Sequence, residues 1–256
     1  MVKKVVELKN VSMNYHTLSG ETQAIKNLSL DICNGEFVSI VGPSGCGKST
    51  LLSLISGILK PTSGSIMVNG EPVTGPNGNV GYMLQKDHLF EWRTILKNAT
   101  LGLEIKKKLN KETQADVERL FDEYGLTDFK NHFPKQLSGG MRQRAALIRT
   151  LATNPDILLL DEPFSALDYQ TRLAISEEIW LIIKKEKKTA ILVTHDISEA
   201  VASSDRIVVL TNRPAEIKNI HEIALTCDIR TPITCREAPE FRHYFNTIWK
   251  ELDVHV

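Results

Sequence analysis

Apolar positions along the chain change period twice. Over the first 88 residues they fall in short β-prone runs, at 5–8, 28–32 and 37–41, separated by polar or glycine-bearing turns, which predicts strands. The third run feeds a glycine-rich loop, after which residues 50–56 read as a helix that Pro61 and Gly64 break. Residues 65–68 followed by Asn69 and Gly70 predict a hairpin, and 80–84 a further strand. From about 89 to 153 the spacing becomes helical: Val117, Leu120, Phe121 and Tyr124 share one face, and a second helix runs from 142 to 152 until Asn154 and Pro155 stop it. Strand and helix then alternate, with strands at 156–160, 190–193 and 207–210 and a helix carrying Leu173, Trp180 and Ile183. Phe241, Phe245, Ile248 and Leu252 form a terminal amphipathic face expected to pack on its own domain.

This order predicts an α/β fold, a mostly parallel sheet covered by helices, because strand-helix-strand crossovers place helices on the sheet faces. The 256 residues fit one domain: a core of 1–88 and 154–223, a helical subdomain at about 89–153, and a C-terminal segment at about 224–256. The longest apolar runs have strand length, far below the roughly 20 residues of a membrane helix. The N-terminus mixes Lys3, Lys4 and Glu7 into its apolar residues, unlike a secretory signal, so the chain is expected in the cytosol. Thirty-one Lys and Arg balance 31 Asp and Glu, so overall charge favours no nucleic-acid partner. The four cysteines, Cys33, Cys46, Cys227 and Cys235, show no zinc-type spacing and are read as free thiols.

The sharpest chemical signal is Gly42, Pro43, Ser44, Gly45, Cys46, Gly47, Lys48, Ser49 and Thr50, a phosphate-loop pattern between a predicted strand and a predicted helix. Its glycines let successive N–H groups turn inward, and the helix N-terminus adds a dipole that favours anions. Lys48 is positioned to reach the β- and γ-phosphates of ATP, and Ser49 to offer its hydroxyl to Mg²⁺. Such a loop alone leaves kinases, GTPases, helicases and transport motors open. Asp161 follows an apolar strand and emerges at the sheet's carboxyl edge, suited to holding the metal, while Glu162 can polarise an attacking water. Ser138 has the chemistry of a helix N-cap, and Gly139 and Gly140 expose N–H groups beside it, a second anion site in the same chain. One nucleotide does not need two such sites, so two copies are expected to pair head to tail with ATP between them.

Phosphate loop, Leu137 to Met141, Asp161 and Glu162, the stretch Ser165 to Asp168, and His195 occur in the order of the nucleotide-binding subunits of ABC transporters, which the chain resembles over nearly its whole length. The resemblance implies that Tyr15 stacks on adenine, Gln85 bridges magnesium and the membrane subunit, Asp168 links the two active sites, and His195 contacts the γ-phosphate. It implies integral membrane permease subunits as partners, with the chain peripheral on the cytoplasmic face. It leaves as the rival a soluble ABC ATPase of the translation or DNA-repair type, against which stand the single cassette and the lack of a heptad run. Residues 89–94, the signature methionine Met141, and Asn212, Arg213 and Pro214 are similar to the import subfamily for nitrate, sulfonates, taurine and thiamine precursors, which works with a solute-binding protein. Glu91, Ser165 and Ala215 depart from that pattern. Phe90 and Trp92 mark a candidate groove for a membrane-subunit helix, or else ordinary core.

Overall fold

The computed structural model describes residues 3–17, 20–165 and 167–252. Ala166, inside the Ser165 to Asp168 stretch, lies outside the described residues. The chain runs β1 (Lys4–Thr17), β2 (Gly20–Cys33), β3 (Phe37–Val41), α1 (Lys48–Ile55), β4 (Ser63–Val68), β5 (Glu71–Pro72) and β6 (Val80–Met83). The helical stretch follows with α2 (Ile95–Ala99), α3 (Leu101–Ile105), α4 (Lys111–Glu123) and α5 (Gly139–Leu151). Alternation then resumes through β7 (Ile157–Asp161), α6 (Tyr169–Lys185), β8 (Thr189–Val193), α7 (Ile197–Ser203) and β9 (Arg206–Leu210), and the chain closes with β10 (Ile217–Glu222) and α8 (Phe241–Leu252).

Two sheets result. The smaller is antiparallel in the order β2-β1-β4-β5, with Leu8 opposite Leu30 and Val6 opposite Val68. The larger has the order β10-β9-β3-β8-β7-β6 and is parallel except for β10 on its edge. Strands β3, β7 and β8 are buried at every position, as the largely apolar strands of a parallel sheet covered by helices on both faces must be, with Ser39, Asp161 and Thr189 the polar exceptions. One core, with Val6, Ile25, Leu51 and Ile191, fills the space between the sheets. A second joins the larger sheet to the helical stretch through Phe121, Ile148, Leu160 and Trp180. A third joins Ile197, Val209 and Ile248 at α7, β9 and α8.

The terminal helix packs on its own domain, as its spacing implies: Ile248 is buried against α7 and β9, and His221 Nε2 lies 2.8 Å from Glu251 Oε2. The first helix of the middle stretch starts at Ile95, later than residue 89, because 89–94 form a turn gathered around Asn98. Strands β1 and β2 are much longer than the apolar runs suggest, and β10 is absent from the sequence reading. Among the described residues no helix is long and apolar enough to cross a membrane.

Candidate nucleotide site

The loop from Gly42 to Lys48 turns hard at the end of β3. A Cβ at Gly42 would sit 2.9 Å from Cys46 Sγ and 3.1 Å from Leu210 Cβ, so only glycine lets the backbone pass β9 this closely. Gly47 has φ +126°, in the left-handed region, and opens α1 without a side-chain cap. Lys48 is buried, and its ammonium donates to the carbonyls of Gly42 and Pro43 at 2.8 and 3.0 Å, which lays the charge along the inside of the loop. Arg213, between β9 and β10, grips the loop from outside through Gly45 O at 2.7 Å. Ser44, Gly45 and Ser49 remain exposed on the rim. Tyr15, on β1, is 37% exposed and its hydroxyl lies 3.2 Å from Thr50 Oγ1, so its ring borders the same loop and is not strand core. Cys46 is buried, and burial pushes its thiol above the ordinary value, which disfavours the nucleophilic thiolate.

Three strand ends converge beside this loop. Asp161 closes β7, buried; Ser49 Oγ donates to its Oδ1 at 3.1 Å and the Tyr82 hydroxyl to its Oδ2 at 3.3 Å. Burial raises the Asp161 carboxyl above its usual range, with the Glu162 charge adding to the rise, and the Ser49 and Tyr82 bonds oppose it. Burial likewise pushes the Tyr82 hydroxyl up to about 12, so it stays a donor. Glu162 has φ +44°, an unusual conformation for a residue with a side chain, held by its N–H donating to Val193 O at 2.8 Å. The resulting kink brings Glu162 Oε2 within 2.8 Å of Gln85 Nε2, just past β6, and 3.4 Å of His195 Nδ1, just past β8.

The segment bearing His195 is braced from behind. Thr194 and Ser176 donate hydroxyl hydrogen bonds to the buried carboxyl of Glu199. Asp196 caps α7 through Glu199 N and pairs with Arg172 of α6 at 3.4 Å. Asp168 caps the same α6, its side chain accepting from Thr171 N.

Lys48, Ser49, Asp161, Glu162, Gln85 and His195 therefore meet at one sheet edge, with Tyr15 and Thr50 on its flank. Ser138, Gly139, Gly140 and Asp168 form a separate set of helix starts. Ser138 Oγ accepts from Met141 N at 3.4 Å, and a Cβ on Gly139 would meet nothing within 4 Å, so this patch is open. Sequence reasoning missed Tyr82 and Glu199, and it singled out Arg213 without placing it at the phosphate loop. A hydroxyl within an apolar strand was the one available sign of Tyr82; nothing in the sequence brings residue 213 to residue 45, or buries Glu199.

The ABC transporter family matches residues 25–165, more than half of the chain. The chain belongs to the ABC transporter family. It is 46% identical to the "uncharacterized ABC transporter ATP-binding protein YtlC" of Bacillus subtilis, over 97% of this chain and 95% of that one. It is 43% identical to a "taurine import ATP-binding protein TauB" of Jannaschia sp., over 82% and 79% of the two chains. Its fold matches the dimeric post-hydrolysis state of the ATP-binding cassette MJ0796 bound to ADP and Pi, with TM-score 0.76 and 34% identity, covering 86% of this chain and 99% of that one. The chain is thus the ATP-binding, ATP-hydrolysing subunit of an ABC transporter, and the expectation of a transport engine over a translation or repair ATPase holds.

Proposed function

We propose that this subunit powers import of a small solute of the nitrate, sulfonate, taurine or thiamine-precursor kind, from the cytoplasmic face of the membrane, through permease subunits fed by a solute-binding protein. The taurine-import relatives favour that cargo class, and Trp92, exposed beside Phe90 just beyond Gln85, offers the permease a contact. The observation that carries the motor reading is the meeting of Gln85, Glu162 and His195 at one carboxylate oxygen, beside the loop that holds Lys48.

In this reading residues 42–50 cradle the phosphates of ATP, Lys48 neutralises the β- and γ-phosphates, and Tyr15 stacks on adenine. Glu162 accepts the proton of the attacking water, with Gln85 and His195 fixing its carboxylate and His195 reaching toward the γ-phosphate. The Ser49 hydroxyl and Asp161, in contact, and Gln85, bonded to the adjoining Glu162, offer hard oxygen donors of the kind that suit Mg²⁺. Bound there, Mg²⁺ would neutralise charge on the phosphates. Ser138, Gly139 and Gly140 serve the nucleotide of a second copy, with Asp168 at the seam, so that ATP closes a head-to-tail dimer and hydrolysis releases it.

Glu162→Gln is the direct test. It should still bind ATP and pair, with turnover lower by about 10²–10⁴ and solute uptake lost in cells relying on it. Undiminished ATP hydrolysis by that variant would remove Glu162 from its role.

A further inference from the structure

Two of the four cysteines touch. Cys227, half-buried in the connection after β10, and Cys235, fully buried in the single helical turn Thr234–Glu237, have their Sγ atoms 3.4 Å apart. A disulfide bond is about 2.05 Å long, so small side-chain rotations would close the gap. The loop between them is pinned rather than loose. Arg230 donates to Ser204 O at 2.6 Å and pairs with Asp205 at 3.3 Å, and the Thr231 and Thr234 side chains bond each other. The Arg230 guanidinium, ion-paired with Asp205, is also close enough to Cys235 to favour its thiolate. Burial raises the Cys235 thiol well above its ordinary value, with the neighbouring Cys227 adding to the rise and Arg230 opposing it. The two sulfurs are therefore unequal: Cys227 is accessible, and Cys235 is a sheltered thiol within reach of it.

We propose that Cys227 and Cys235 form a redox-active dithiol site that reacts with small disulfides of the glutathione class. The Cys227 thiolate attacks the small disulfide, forming a mixed disulfide and releasing one small thiolate, which takes up a proton. Cys235 then gives up its proton and attacks Cys227 Sγ, releasing the second small thiol. One S–S bond breaks and one forms; the protein loses two electrons and two protons, and the small disulfide gains them. The product would fasten the connection after β10 to the turn that packs on α7 and α8. Cys33 and Cys46 have no thiol neighbour among the described residues, so the pair is the site of intramolecular oxidation.

The test is mass spectrometry of the full chain after exposure to oxidised glutathione. The expected product has lost two hydrogens, carries no glutathionyl group on Cys227 or Cys235, and yields a peptide linking the two. Both should then resist alkylation until reduced, while Cys33 reacts throughout. Cys235→Ser, lacking the second thiol, should stop at the mixed disulfide on Cys227. Separate glutathionyl groups persisting in the unaltered protein, or free alkylation of both cysteines after oxidation, would overturn the assignment.

Discussion

Glu199 is a carboxyl group sealed among hydroxyls. Ser176 of α6 and Thr194 donate to it, Arg172 lies on the α6 side, and Asp196 adds a like charge from the loop. Burial, the largest influence, raises its carboxyl above the ordinary glutamate value of 4.5; the Thr194 bond opposes this, and Asp196 pushes it further up. The sign of the consequence follows. The folded protein holds this proton more tightly than the unfolded chain, so its contribution to stability is complete below the unfolded value and is lost as pH rises through the folded one. Glu199→Gln is neutral at every pH. Its unfolding free energy, measured in urea against the unaltered protein, should therefore gain on the latter as pH climbs from about 4.5 toward neutrality. Asp161, also raised by burial, is present in both proteins and cancels. A difference independent of pH would show that burial does not raise the Glu199 carboxyl above its unfolded value. Because Glu199 fixes Thr194, next to His195, the same variant reports how firmly that histidine's segment is braced.

Helix α5 and the segment after Gln85 are joined by a fork of charge. Arg142 donates through Nε to Asp87 Oδ2 at 2.8 Å and through Nη2 to Asp87 Oδ1 and Glu91 Oε1, both at 3.0 Å. About two helical turns later, Arg149 donates to the backbone carbonyls of Asp87 and His88 at 2.6 and 2.7 Å. Burial alone would raise the Asp87 carboxyl, but the Arg142 bond and the Leu89 N–H outweigh it and hold the group below its usual range. Asp87 therefore adds stability above the unfolded aspartate value and loses it as pH falls through the lower folded one. Arg142→Ala should cost about 1.5–3 kcal/mol in denaturant unfolding near neutrality, the worth of charged hydrogen bonds left unmade, and should flatten the acid limb. An unchanged midpoint would mean that the fork holds nothing. None of this was legible, since residues 87 and 142 are 55 positions apart and charged pairs leave no periodicity. What was legible were β3, β7 and β8, whose short, largely apolar, β-prone runs read as buried strands, and the motif residues at their ends. Strands β1 and β2 were cut short in the reading because Asn10, Asn14 and His16 interrupt β1, and Asn10, at φ +51°, sits where its register shifts. In β10 the exposed Lys218 and Asn219 belong to an edge strand that needs no apolar run.

At the scale of the whole molecule, the ATP edge and the Trp92 surface are tied by short, stiff links. Gln85 touches Glu162; two residues on, Asp87 is fixed to α5, which Ser138 caps and the two glycines open. The turn that follows is fixed by Asn98, which accepts from Phe90 N at 2.7 Å and donates to the carbonyls of Phe90, Arg93 and Thr94, each at 3.1 Å. On that turn Trp92 is 74% exposed, its ring centroid 4.8 Å from that of Phe90. Exposure removes the core reading of this residue, because a core tryptophan would hide its ring and this one offers it. Removing the indole should therefore leave folding and ATP affinity nearly unchanged. If the turn is where the permease docks, Trp92→Ala should weaken that association by at least about 2 kcal/mol, some thirtyfold, as loss of a central aromatic contact does. Co-purification from membranes and nucleotide titration on the same preparations separate the effects. Retained permease with lost ATP binding would place Trp92 on the nucleotide side of the linkage, and the docking surface would have to be sought elsewhere on the chain.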